Sequence, residues 1–255
     1  MNKMNDFFEN FILQRKMYFN ICKITNYGEY YFSSIIKTED WNYFVPYGKQ
    51  ELLKNIEHVN DCMQKNNRKT CIAVPTSIQD FNQIVDYLNK ENYKKLGTEQ
   101  WLIADKHTKI PKLNYKIVSN EDDLNLFKYI LISTYSNLPS NVQSYANLPK
   151  EYLDVIENLV LKSDEKNIIL FKDGNPISAC TLCIDEEICG IYNLAVLPKY
   201  QDTEYGYNVL FAALKEYKKL SAQRLFIQTP EDSLLHLWLK KNNYKESLKL
   251  HFYAK

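Results

Sequence analysis

Glycine is scarce in this sequence, at six of 255 residues, well under the usual ~7%. A glycine at an element boundary therefore needs a reason, and Gly206 stands where a loop becomes a helix. Neither sign of charge dominates: 32 basic against 31 acidic side chains leave a net +1. That balance gives no electrostatic footprint for nucleic acid or an anionic membrane. No apolar run reaches membrane-spanning length. The N-terminus "MNKMNDFFENFILQRKMYFN" is amphipathic, but Asp6 and Glu9 interrupt the apolar core a signal peptide would need. Six cysteines fall short of disulfide-scaffold density, so a reducing cytoplasm is the expected compartment.

One C-x-x-C exists, Cys180 and Cys183, in "PISACTLCIDEEI". That stretch alternates like a strand, on which residues three apart face opposite ways. With no second pair and only His58, His107, His236 and His251 to assist, no metal site is expected. The 20 tyrosines, with many Lys, Asn and Ile, read as coding bias of an AT-rich genome.

What is present is a globular composition, 45% apolar, long enough for one large domain or two ordinary ones. The chain repeats itself. Near the end come "RLFIQTP" (strand), "EDSLLHLWLKKNNYKES" (helix and turn) and "LKLHFYA" (strand). Earlier, "KTCIAVP", "TSIQDFNQIVDYLNKENYKKL" and "GTEQWLIAD" follow the same order. The helix ends correspond, "YLNKENYKK" against "WLKKNNYKE", and place Tyr93 and Tyr244 151 residues apart. From Pro46 to Pro75 is 29 residues and from Pro198 to Pro230 is 32, so the first copy is shorter, in the loop before its helix. Self-similarity at a domain-sized period indicates duplication. The polar stretch Asp105 to Asn114, with Pro111, marks the boundary. Beyond it, Asn120 and the carboxylates after it predict a helix start. Asp173-Gly174-Asn175 predicts a hairpin.

The stretch "IYNLAVLPKYQDTEYGYNVLFAALKEYKK" predicts a strand, a short loop and an amphipathic helix. Backbone N–H groups at such a helix start converge on one spot, where the helix dipole adds positive charge. A glycine there has no Cβ to hold an anion off.

This order, with "LAVLP" leading into a loop and helix, resembles the GNAT superfamily of N-acetyltransferases, clearly over Tyr115–Lys255 and more faintly over the first hundred residues. The resemblance implies an α/β (α+β) chain of two GNAT-like domains, each a mixed, mostly antiparallel central sheet flanked by helices. Residues 1–110 would be a degenerate copy that supports the acceptor site, and 111–255 the acetyltransferase domain. It implies acetyl-CoA as cofactor and a small-molecule or peptide amine as acceptor. Cofactor contacts would fall on Leu194, Ala195 and Val196 of the strand. The loop and helix start, Gln201, Asp202, Thr203, Glu204, Tyr205, Gly206 and Tyr207, would hold the pyrophosphate, with Asp232 nearby. In the family's Q/R-x-x-G-x-G/A pattern, Gln201 and Gly206 keep the ends and Glu204 replaces the first glycine.

At pH 7 freeing the lone pair of a lysine-like amine costs about 4 kcal/mol, and of an α-amine about 1, so acyl transfer gains from a base. An N–H donor is needed as charge develops on the carbonyl oxygen. The family's tyrosine, which protonates the leaving thiolate, aligns here with Leu239, and its glycine with Asn243. The family's base positions align with Gly190 and Ile227. His236, one helical turn before Leu239, and Tyr192, on one strand face with Gly190, are the substitutes for proton transfer. The alternative is a catalytically silent acyl-CoA binder, a sensor or interaction module.

Overall fold

The computed structural model describes Leu13 and residues 21–137, 150–201, 203 and 205–255. The chain forms two compact units, 1–101 with 247–255, and 102–246.

In the first unit the strands run in the order β1 (Ile21–Ile24), β2 (Gly28–Phe32), β3 (Asn42–Pro46), β4 (Cys71–Pro75), β11 (Tyr244–Ala254) and β5 (Lys94–Ala104). The chain passes between units within β5 and within β11. β1 with β2, β2 with β3 and β4 with β11 pair antiparallel, whereas β3 with β4 is parallel, through the pair Phe44–Ile72. Adjacent residues point to opposite faces, so Tyr30 and Tyr31 are both fully buried, in different cores. Tyr30, Phe44 and Ile72 pack with Leu52, Val59 and Met63 of α1 (Lys49–Lys65) and with Ile84 and Leu88 of α2 (Phe81–Lys90).

In the second unit the order is β10 (Arg224–Pro230), β9 (Ile188–Val196), β8 (Asn175–Asp185), β7 (Glu165–Lys172) and β6 (Asn114–Ile117). Only β9 with β10 is parallel. The β7–β8 turn is the predicted one, with Asp173 (φ 51°) and Gly174 (φ 79°) both left-handed, the geometry that matches strand twist in a two-residue hairpin. Helix α3 (Glu121–Tyr135) starts where its sequence predicts, the Asn120 side chain accepting from the Asp123 N–H at 2.9 Å. Helix α4 is Lys150–Glu157.

Helix α5 (Val209–Tyr217) is buried nearly all round, Val209 through Leu214 joining Ile168, Leu182, Ile191 and Ile227 in one core. Its one carboxylate there, Glu216, accepts from Tyr115 (2.6 Å) and pairs with Lys166 and Lys219. Burial raises the Glu216 pKa, but the hydrogen bonds from Lys219, Tyr115 and Lys166 outweigh it and bring it down to about 2. Cys180 faces α5, its Sγ 3.8 Å from the Val209 carbonyl, and Cys183, three residues on, falls on the opposite face.

The repeated segments take the same shapes. The order β3, α1, β4, α2, β5 recurs as β9, α5, β10, α6 (Leu234–Lys241), β11. After α2 and after α6 an asparagine, Asn92 or Asn243, turns left-handed at the same φ of 63°, a helix stop that asparagine tolerates. A buried tyrosine, Tyr93 or Tyr244, follows each. Only Tyr47 and Gly48 separate β3 from α1, whereas residues 197–208 separate β9 from α5.

Candidate functional site

The site begins where two parallel strands part. Strand β10 pairs with β9 from Arg224–Ile188 to Ile227–Ile191, and no further among the described residues. Beyond that point β9 runs on to Val196 and β10 to Pro230. On its other edge β9 pairs Tyr192 with Thr181 and Ala195 with Ala179. Asn193 and Leu194 therefore stand against the single residue Cys180, a β-bulge, and Asn193 is left-handed at φ 50°.

Ladder phase follows from one bond, Leu197 N–H to the Ile177 carbonyl at 3.0 Å. Hydrogen-bonded and non-hydrogen-bonded pairs alternate in an antiparallel ladder. Ala195 thus turns its peptide groups to β8, while Val196 turns its own to the edge that β10 has left. Two carbonyls there are already occupied. The Tyr135 hydroxyl donates to Leu194 O (2.9 Å), and the Gln201 side-chain amide donates to Val196 O (3.0 Å). Burial, and after it the neighbouring Tyr152, push the Tyr135 phenol well above its ordinary pKa, so it stays a donor.

After β9 the chain makes a 3-10 turn, Pro198–Tyr200, and a second, Gly206–Asn208, that leads into α5. Thr203 closes back on the Tyr200 carbonyl through its N–H (3.1 Å) and hydroxyl (2.8 Å). Tyr205 is exposed, with the Lys172 ammonium 4.1 Å from its ring centre. Tyr207 packs on Trp238 of α6. Asp202 and Glu204 lie outside the described residues. Gly206 is buried, and its φ is not left-handed. A Cβ on it would fall 2.2 Å from Val196 Cγ1, so the glycine lets the helix entry lie directly on β9. Its space is filled by Val196, not kept open.

Asp232, left-handed at φ 60°, turns a side chain that is 90% exposed to solvent. Its backbone N–H donates to His236 Nδ1 at 3.0 Å, while the Ser233 hydroxyl accepts from the His236 N–H at 3.1 Å. Ser233 is thus the N-cap of α6, and the histidine at N3 reaches back one residue further than in a capping box, to the N–H that precedes the cap. Because Nδ1 accepts, Nε2 carries the ring proton and donates to Glu246 Oε1, 2.9 Å away. Buried His236 (3% exposed) thus has both ring nitrogens engaged. Leu239, at the tyrosine position of the resemblance, is fully buried.

Tyr192 is the first β9 residue past the last pair with β10. Its ring folds back over Gly190, where a Cβ would meet the Tyr192 hydroxyl at 2.8 Å. The position that aligns with a family base thus holds no side chain of its own, and a phenol from two residues on lies over it.

The sequence reading did not pick out Tyr135, Tyr152 or Asn193. The Tyr152 hydroxyl donates to Asn193 Oδ1 at 2.6 Å, and the Asn193 amide donates to Thr181 Oγ1 at 3.0 Å. The one available signal was Asn193 itself, a residue tolerant of left-handed backbone inside an apolar strand.

In the first unit the corresponding helix start differs. A Cβ on Gly48 would fall 2.4 Å from Glu51 Oε2, so the Glu51 carboxylate lies beside the first turn of α1.

The architecture is a GNAT-like mixed α/β fold with a mostly antiparallel sheet and flanking helices. Residues 133–243 match the model of the Acetyltransferase (GNAT) family. The chain is similar in structure to a GCN5-related N-acetyltransferase from Kribbella flavida, with 9% identity and a TM-score of 0.70 over 100% of this chain and 95% of that one. A GCN5-related N-acetyltransferase from Sphaerobacter thermophilus gives 7% identity and 0.60, over 91% of this chain and 81% of that one. A tandem GNAT protein from the clavulanic acid biosynthesis pathway gives 12% and 0.52, over 90% and 78%. No curated protein matches the sequence. Among the described residues no helix is long and apolar enough to cross a membrane.

Proposed function

We propose that the protein is an acetyl-CoA-dependent N-acetyltransferase acting on a small-molecule or peptide amine, with one cofactor site per chain, in the second unit. The observation that carries this reading is the fork after Ile191 and Ile227. An extended arm bearing amide carbonyls fits an open strand edge, whose own N–H groups can donate to it as to an added strand. The Val196 peptide faces that edge, and the α5 entry lies beside it. Helix dipole and N–H groups there favour a phosphate.

Acetyl-CoA would supply the acyl group as a thioester. The chain's own part is to hold it along Leu194–Val196, to donate an N–H toward the carbonyl oxygen, and to move one proton. The amine loses a proton and the departing thiolate gains one. The Tyr192 hydroxyl is proposed to donate to the sulfur and take up the amine's proton. His236 is left out of this scheme because its nitrogens are engaged.

We read the first unit as a second, worn copy of the fold. The recurring order of elements, the left-handed asparagines and the likeness to a tandem GNAT protein support this. Its two-residue loop and the Glu51 carboxylate argue against a cofactor there.

The experiment is release of free thiol from acetyl-CoA across a panel of amines. Amine-dependent release supports the enzyme. Acetyl-CoA binding without release under any amine would leave the silent binder, which the buried Leu239 at the tyrosine position would then explain.

A further inference from the structure

The bulge that opens the fork is held from one side by two tyrosines on two different helices. Tyr135 closes α3 and donates to the carbonyl of Leu194; Tyr152, in the first turn of α4, donates to the side chain of Asn193. The two rings meet edge to face, their centres 5.3 Å apart. Behind Asn193 the bonds continue in one direction. Asn193 Nδ2 donates to Thr181 Oγ1, and Thr181 donates to Asn167 Oδ1 at 2.7 Å. The relay ends at that side chain; the Asn167 backbone carbonyl separately accepts from the Val118 N–H at 2.8 Å. Tyr152, Asn193, Thr181 and Asn167 are all buried.

Such a chain is more than filler. A left-handed residue with a Cβ is costly in mid-strand and persists only where its surroundings over-determine it. Here the surroundings are named: one donor into Asn193 Oδ1, one acceptor for its amide, and one cap on the next carbonyl. Bonds aligned head to tail polarise one another and act as a unit. An apolar core would pack as well around a regular strand, and a regular β9 would carry its pairing with β10 past Ile191.

We infer that Tyr135 and Tyr152 are positioning residues, which hold the Asn193–Leu194 bulge and thereby set the strand edge along which an acyl-CoA thioester lies. The inference rests on the acyl-CoA reading above and adds to it a set of residues that touch no reacting atom. It ties the ends of α3 and α4 to the cofactor edge through two phenols.

The test is calorimetric titration of acetyl-CoA into full-length protein, at a temperature well below the melting midpoint of each variant. Tyr152→Phe deletes one hydroxyl and its hydrogen bond to the buried Asn193 Oδ1, and its dissociation constant is expected to rise about tenfold. Asn193→Gly keeps the left-handed backbone but removes the relay and should weaken binding at least as much. Combined, the two changes should cost little more than Asn193→Gly alone, because members of one network are not additive. Tyr129→Phe, exposed on α3, should bind as the wild type does.

A Tyr152→Phe protein that melts lower yet keeps the wild-type dissociation constant overturns the positioning role and returns the tyrosine to packing. If Tyr152→Phe does not stay folded, Tyr135→Phe, which removes only the cap on Leu194, gives the same reading, and unchanged affinity again overturns it. Wild-type protein that takes up no acetyl-CoA overturns the acyl-CoA reading itself, and the positioning role falls with it.

Discussion

The ring of Tyr192 lies over Gly190, so that a Cβ on the glycine would fall 2.6 Å from Cε2 and 2.8 Å from the hydroxyl oxygen. Residue 190 is therefore a glycine because Tyr192 needs its space, and the strand pays no positive-φ strain for it. Tyr192 is the first residue of β9 beyond its pairing with β10, and its ring lies back over the last paired stretch of the strand.

If Tyr192 moves the proton, Tyr192→Phe should lower turnover by about 10²–10⁴-fold, the usual contribution of a positioned acid or base, with acetyl-CoA affinity nearly unchanged. Gly190→Ala, which displaces the ring, should reproduce most of that loss. Turnover within threefold of wild type in Tyr192→Phe would remove the residue from the mechanism.

For His236 the expectation runs the other way. His236→Ala removes the Nδ1 acceptor beside the α6 cap and the bond to Glu246. Loss of a cap costs about 0.5–2 kcal/mol, and at roughly 2–4 °C per kcal/mol the melting midpoint should fall by a few degrees. Turnover of the folded variant should stay close to wild type. A hundredfold loss of turnover without a change in melting would restore His236 to the chemistry.

Gly206→Val tests the helix entry. Because a Cβ there would collide with Val196, the ligand-free protein should be destabilised by about 1–3 kcal/mol, the range for overpacking. Any acetyl-CoA-induced rise in melting should shrink as well. A variant with an unchanged ligand-free midpoint would show that the α5 entry does not rest on β9 as described.

Much of this was legible in the sequence, and the reasons are local. Asn120 with its trailing carboxylates, Asp173-Gly174 and the two "Asn-Tyr-Lys" helix ends each carry their own turn chemistry, and each formed as read. The fork is visible only as the family pattern "NLAVLP". The roles of Gly206 and His236 were hidden because a glycine or histidine at a helix start satisfies both a ligand and a fold requirement. Only the neighbours decide, and here they are Val196, Asp232 and Glu246. Tyr135 and Tyr152 were hidden for another reason. Their hydroxyls reach residues 59 and 41 positions away, and nothing marks them among 20 tyrosines.

The Glu216 cluster gives a pH dependence. Its folded-state pKa, about 2, lies below the ordinary unfolded value of about 4.3. Its contribution to stability is therefore fully present above about pH 4.3 and is lost as the pH falls toward 2. Two partners, Lys219 and Lys166, are partly exposed, so solvent and salt screen part of it. Glu216→Gln should lower the melting midpoint at pH 7, and the gap to wild type should narrow steadily between pH 4 and pH 2. An equal gap at pH 7 and pH 2.5 would contradict the ion cluster.

The central claim is that the forked edge of β9 holds the cofactor, and a co-crystal with acetyl-CoA tests it most directly. One acetyl-CoA per chain is expected, its extended arm along Leu194–Val196, its pyrophosphate at the entry to α5, and its thioester next to Tyr192. Density at the start of α1, or a soaked and saturated crystal whose β9 edge stays empty, would contradict it.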